Sequence, residues 1–126
     1  MKNINILFIL IMSFTTILQG QEKIINLNLS EIKWVGKEIT TKTHYGSLKF
    51  KKGNISIVND LITAGEFIVD MNSLKNEDLS GGSKEYLEKH LRSDDFFGVE
   101  QHPTATLKIT SVKKVEGEKH LVVGDL

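Results

Sequence analysis

In the run HLRSDDFFGVEQHPTATLKI (residues 90–109), two adjacent carboxylates, two imidazoles and two phenylalanines crowd into a short stretch. Paired carboxylates do acid–base work when both aim into one site and their surroundings push the two pKa values apart. Asp94 and Asp95 are neighbours in sequence, so their side chains do not face one point on either a helix or a strand. A metal reading rests on His90 and Asp94, four apart, with His44 and His102 as further donors. It requires the helix to run through residue 94, whereas the helical pattern stops near Arg92, and no second ligand pair recurs at a diagnostic spacing. No Ser–His–Asp pattern stands out, and no glycine-rich turn leads into a helix as a phosphate loop would. The chain has no cysteine, which excludes disulfides, thiol catalysis and lipid attachment through sulfur.

The same residues have a simpler local reading. Ser93 can cap a short second turn, Asp94 and Asp95 suit its positive N-terminal end, and Gly98 supplies the stop. Phe96 and Phe97 then bring apolar surface over the rest of the fold. Pro103, the chain's one proline, sits where a strand begins and its missing amide costs no ladder bond. The expectation is therefore no catalytic residue, no metal and no cofactor, with the whole run serving architecture.

The elements around it are written in period-two alternation. EIKWVGK puts Ile32 and Trp34 on one face; SLKFK does the same with Leu48 and Phe50, and NISIV with Ile55 and Ile57. EFIVDM aligns Phe67, Val69 and Met71, and TATLKIT aligns Ala105, Leu107 and Ile109. Side chains alternate across a strand, so each segment has one apolar and one wet face. Turn signals fall at residues 52–54, 59–60 and 116–118, the last closing a hairpin. Gly36, Gly46 and Gly65 lie in or beside strands, where glycine marks bends or bulges.

One segment breaks the alternation. SKEYLEKHLR (residues 83–92) reads as a helix capped by Ser83, with Leu87 and Leu91 on one docking face. Its pairs Glu85–Lys89 and Glu88–Arg92 each add roughly 0.2–0.5 kcal/mol. Residues 76–82 read as a flexible lead-in. The expected fold is all-β with one short helix, an antiparallel barrel or a two-sheet sandwich, since one-faced strands must close, stack or be covered. A small barrel either fills with side chains or holds one slim ligand.

At 126 residues the chain is one domain, and 16 basic against 16 acidic residues give no electrostatic case for nucleic acid. A basic start, a charge-free apolar run over residues 4–18 and a small residue at Gly20 read as a secretory signal peptide, cleaved near Gly20. An uncleaved anchor is the alternative. The domain would then span 21–126, in the periplasm or outside the cell.

The motif over residues 90–109 resembles the signature of the YceI-like family, as do KWVGK (33–37), HYGSLKF (44–50), GEFIVDMNSL (65–74) and VVGDL (122–126), in order. The resemblance implies an extended lipocalin-like barrel in the bacterial periplasm. Its apolar tunnel would hold a polyisoprenoid or similar amphiphilic lipid such as a quinone, with the membrane as lipid source. Combined with the alternation, it nominates Trp34, Phe50, Phe67, Val69, Leu107 and Ile109 as tunnel wall. It carries over no catalytic residue; His90, Ser93, Asp94, Asp95, Phe96, Phe97 and Pro103 carry over as a clasp at one barrel end. In the family the chain continues past GDL through closing strands. A partial barrel is thus expected here, with a homodimer as the other way to cover the edge. Two alternatives stay open: a lipid-modifying enzyme using His44, His90 and Asp94, and a packed interaction module without ligand.

Overall fold

A computed structural model describes residues 20–37, 39 and 42–126. The segment read as a signal peptide, residues 1–19, lies outside them. Six strands and one helix follow in order: β1 (Gln21–Ile24), β2 (Glu31–Lys37), β3 (Thr43–Val58), β4 (Leu61–Asn76), α1 (Gly81–Arg92), β5 (Thr104–Glu116) and β6 (Lys119–Asp125). They form one antiparallel sheet in the order β1-β3-β4-β5-β6. The short β2 also pairs with β3, alongside its first half, while β1 occupies its second half.

The sheet does not close into a barrel: β1, β2 and β6 each pair on one side only among the described residues. It is mostly strand with a single helix, as the alternation requires.

The long β3–β4 hairpin turns at Asn59 and Asp60, both with positive φ (50° and 61°). That is the two-residue turn whose twist suits the flanking strands, and Asn and Asp tolerate it. β5 and β6 turn through Gly117 (φ 57°) and Glu118. The turn expected at residues 52–54 is absent, because β3 runs straight through it. Gly53 is there for space: a Cβ on it would meet the Ile25 and Phe67 side chains at 2.6 and 2.9 Å. A register shift between Phe50 and Lys52 absorbs the irregularity.

Directly paired residues share a face in an antiparallel ladder. Trp34 opposes Gly46, Ile32 opposes Leu48, Phe50 opposes Val69, and Phe67 opposes Leu107. The apolar sets of β2, β3, β4 and β5 therefore merge into one apolar face. Helix α1 lies across one end of it and packs on β4. Leu91 is buried there, and Leu87 packs against the same cluster of Leu48, Val69, Met71, Leu74 and Val99.

The helix starts two residues before the expected position, with Ser80 rather than Ser83 at its N-cap, and Ser80 makes no side-chain cap bond. Glu88 takes both Arg92 (3.5 Å) and Lys84 (3.6 Å) as ion-pair partners. The chain leaves the helix through a compact turn. The amide of Ser93 donates to the His90 and Lys89 carbonyls, and those of Phe96 and Gly98 donate to the Ser93 carbonyl. Gly98 then reverses the chain at φ 53°. Pro103 precedes β5 directly, and its carbonyl accepts the Met71 amide (3.0 Å). Phe96 and Phe97 do not cover the sheet: they remain 57% and 43% exposed, in edge-to-face contact with each other, while Val99 takes the buried position.

Candidate functional site

The six nominated wall residues all lie on this apolar face. Val69 is buried; Trp34, Phe50, Phe67, Leu107 and Ile109 are half-buried. Their partial exposure follows from the open sheet, because among the described residues no further strand covers the face from the opposite side. Phe50 and Phe67 bridge β3 and β4 with ring centroids 5.9 Å apart. Phe67, Leu107 and Ile109 extend the face away from the helix.

Where α1 crosses the face, a cleft of about 500 Å³ opens between helix and sheet. Trp34, Ile39, Leu87, Leu91 and Phe96 supply its apolar lining, and His44, His90 and Lys37 stand on its border. The indole of Trp34 lies across Gly46, with Nε1 donating to the Lys75 carbonyl (3.2 Å). Leu87 and Leu91 were readable as a docking stripe. Their second role as cleft lining depends on how far the helix stands off the sheet, which spacing does not report.

Behind this cleft sits a polar network that the sequence reading treated as a flexible lead-in. Asn76, the last residue of β4, is fully buried. Its Nδ2 donates to Asp78 Oδ1 (2.6 Å) and to the Tyr45 carbonyl (3.2 Å), and its Oδ1 accepts the Leu79 amide (2.9 Å). Its own amide donates to Glu88 Oε1 (2.8 Å), and its carbonyl accepts Lys84 Nζ (2.7 Å). Asp78 also accepts the Tyr45 amide (2.9 Å) and His44 Nδ1–H (2.7 Å). The network ties β3, β4 and α1 together at the cleft.

The hydrogen bond from His44, followed by that from the Tyr45 amide, holds the Asp78 carboxyl down to about 2 from its ordinary 3.8. For Glu88, burial pushes the pKa up, but the Asn76 amide, Arg92 and Lys84 together outweigh it, and the pKa ends below its usual value. A carboxyl with a depressed folded-state pKa adds stability that is complete above its unfolded pKa and lost as pH falls through the folded one. Stability should therefore decline as pH drops from about 4 towards about 2. Urea titrations across that range should show Asp78→Asn destabilised at pH 7, with the gap to wild type narrowing as the pH falls. A gap of constant size would show that the Asp78 charge is not what the network holds.

The residues that could serve catalysis do not converge. His44 and His90 border the apolar cleft, whereas Asp94 lines a separate polar depression with His102 and accepts Gln101 Nε2 (3.3 Å). His90 instead packs its ring near Phe96 (6.1 Å). Among the described residues no group of three or more His, Asp or Glu side chains could hold a metal ion.

Comparison with known proteins agrees with the motifs. A family model described as the YceI-like domain matches residues 24–126. Among curated proteins, a UPF0312 protein of Photorhabdus laumondii is 32% identical over 107 residues, covering 85% of this chain and 50% of that protein. A UPF0312 protein of Ectopseudomonas mendocina is 30% identical over 108 residues (86% and 51%), and Protein YceI of Escherichia coli is 29% identical over 108 (86% and 50%). The chain spans about half the length of these relatives, and none of their names denotes an enzyme.

Proposed function

The chain belongs to the YceI-like family, and from that premise we propose that it is a lipid-binding protein rather than an enzyme. Its cargo is a long apolar amphiphile of the polyisoprenoid or isoprenoid-quinone class. It works in the periplasm or outside the cell and takes its ligand from the membrane. The observation that carries this reading is the apolar face itself. It is apolar along its length, incompletely buried, and continuous with a cleft under α1 whose lining is mostly apolar. A prenyl tail laid along that face gains about 0.8 kcal/mol per buried methylene, before the cost of ordering a flexible chain. Such a tail needs no charged group along the wall, and Trp34, Phe50, Phe67, Val69, Leu107 and Ile109 supply none.

Native mass spectrometry followed by organic extraction, on protein purified from its own host, tests the proposal and reports oligomeric state in the same spectrum. An isoprenoid at close to one per chain is the expected result. Protein that arrives empty and takes up no lipid on incubation would replace this reading with that of an interaction module.

A further inference from the structure

The apolar cleft does not end at its histidine border. A second cleft of about 620 Å³ adjoins it towards the N-terminal turns of α1, lined by Lys42, His44, Leu79, Gly82, Ser83, Tyr86, Leu87 and His90. His44, Leu87 and His90 line both. One side of this shared border is therefore hydrocarbon, and the other presents an ammonium, an imidazole and two hydroxyls. Lys42, Ser83 and Tyr86 make no side-chain hydrogen bond or ion pair among the described residues. Among the described residues no carboxylate lines the second cleft. The acid behind His44, Asp78, is already engaged by His44, the Tyr45 amide and Asn76.

We propose that the second cleft is a headgroup site, and that the cargo is a single-chain amphiphile with a compact anionic head, a phosphate or a carboxylate. The proposal rests on the lipid-binding reading above and specifies the polar end of the same ligand. The tail enters between Trp34, Leu87, Leu91 and Phe96, and the head passes the His44–His90 border to reach Lys42, Ser83 and Tyr86. Both the sign and the donor chemistry favour an anion. The titratable lining groups are bases or a phenol, and hydroxyls and ammonium donate to an anion's oxygens in charge-assisted bonds. A cationic head would face Lys42 with no carboxylate among the described lining residues to offset it.

Trp34 is the chain's one tryptophan and lines the apolar cleft, so its fluorescence reports tail entry without reference to the head. Titrating the intact chain at pH 7 with decyl phosphate, decanoate, decanol and decyltrimethylammonium separates the two ends. Decyl phosphate or decanoate should bind at least about tenfold tighter than decanol, the preference a charge-assisted contact supports. Lys42→Gln, alone and with Tyr86→Phe, should cut the ratio of anionic to alkanol affinity by about fivefold or more. If decanol binds as tightly as the anions, or the anion preference survives both substitutions, the headgroup assignment fails while the lipid reading stands. Inorganic phosphate that displaces decyl phosphate at equal concentration would make this a free-anion site and overturn the pairing of head with tail. If no decyl compound perturbs Trp34, the lipid reading itself falls and the headgroup site with it.

Discussion

Gly46→Ala is expected to cost roughly 3 kcal/mol or more of folding stability, at the upper end of what overpacking does. Gly46 sits in β3 opposite both Trp34 of β2 and Asn76 of β4. A Cβ built there would stand 1.9 Å from the Lys75 carbonyl oxygen and 2.7 Å from two carbons of the Trp34 indole. The ring could swing aside, but the carbonyl belongs to the neighbouring strand and cannot move without disturbing the β3–β4 ladder. Relief would also break the Trp34 Nε1 bond to that same carbonyl. A single methyl group thus attacks the cleft wall and the sheet together. Urea denaturation followed by Trp34 emission measures both effects: a lower midpoint, and a native-state spectrum shifted towards that of exposed indole. Gly82→Ala is the matched control. Nothing lies within 4 Å of the Cβ it would add, and its position in the first turn of α1 predicts a gain of up to about 0.5 kcal/mol from helix propensity. A loss under about 1 kcal/mol at Gly46 would mean that strands β3 and β4 give way more easily than their register implies.

The strands were legible because their information is local. Alternation at Ile32 and Trp34, or at Phe67, Val69 and Met71, declares a face whatever the partner strand is. Glycine carries a less definite message, since one residue serves both a turn and a close approach. In β3, Gly53 beside Asn54 reads as a turn, yet it is conserving space for Ile25 and Phe67, contacts that no window around residue 53 contains. The Ser83 cap failed for a related reason: helix formers set in at residue 83, but Gly81 and Gly82 were drawn into the first turn. The hydrophobicity of Phe96 and Phe97 predicts that they cover the sheet, whereas Gly98 turns the chain so that Val99 takes the buried position.

The polar network was invisible for the strongest reason. Asn76, Glu77 and Asp78 look like a polar linker, and their partners His44 and Tyr45 lie over 30 residues away. A buried asparagine is recognisable only when the β3 strand and the α1 helix beside it are in place. The apolar face shows the same division: its members are readable one strand at a time, while the cleft beneath α1 is a distance between elements.

The largest consequence of that network falls on Asn76 itself. Asn76→Ala should destabilise by about 3 kcal/mol, chiefly because it strands the Leu79 amide and withdraws a donor from the Asp78 carboxylate. The Tyr45 carbonyl is less affected, since it also accepts the Glu77 amide (3.0 Å). Asn76→Asp tests the charge logic separately. It keeps an acceptor for Leu79 but places a carboxylate oxygen where Nδ2 now stands, 2.6 Å from Asp78 Oδ1. Two carboxylates so close cannot both stay ionised, and one pKa must rise. A carboxyl whose pKa is raised on folding costs stability above its unfolded value and recovers it as the group protonates. The wild type should weaken as pH falls from about 4 to about 2, whereas Asn76→Asp should regain ground on it from neutrality downwards. Urea midpoints at pH 7, 5 and 3 would expose this convergence. Parallel pH curves for the two proteins would mean that the new carboxylate has turned away from Asp78, and that the site tolerates rearrangement the present geometry does not suggest. The same measurements bear on the proposed ligand site, because Asn76 positions Asp78, Asp78 orients the His44 ring, and His44 stands on the border between the hydrocarbon and polar clefts.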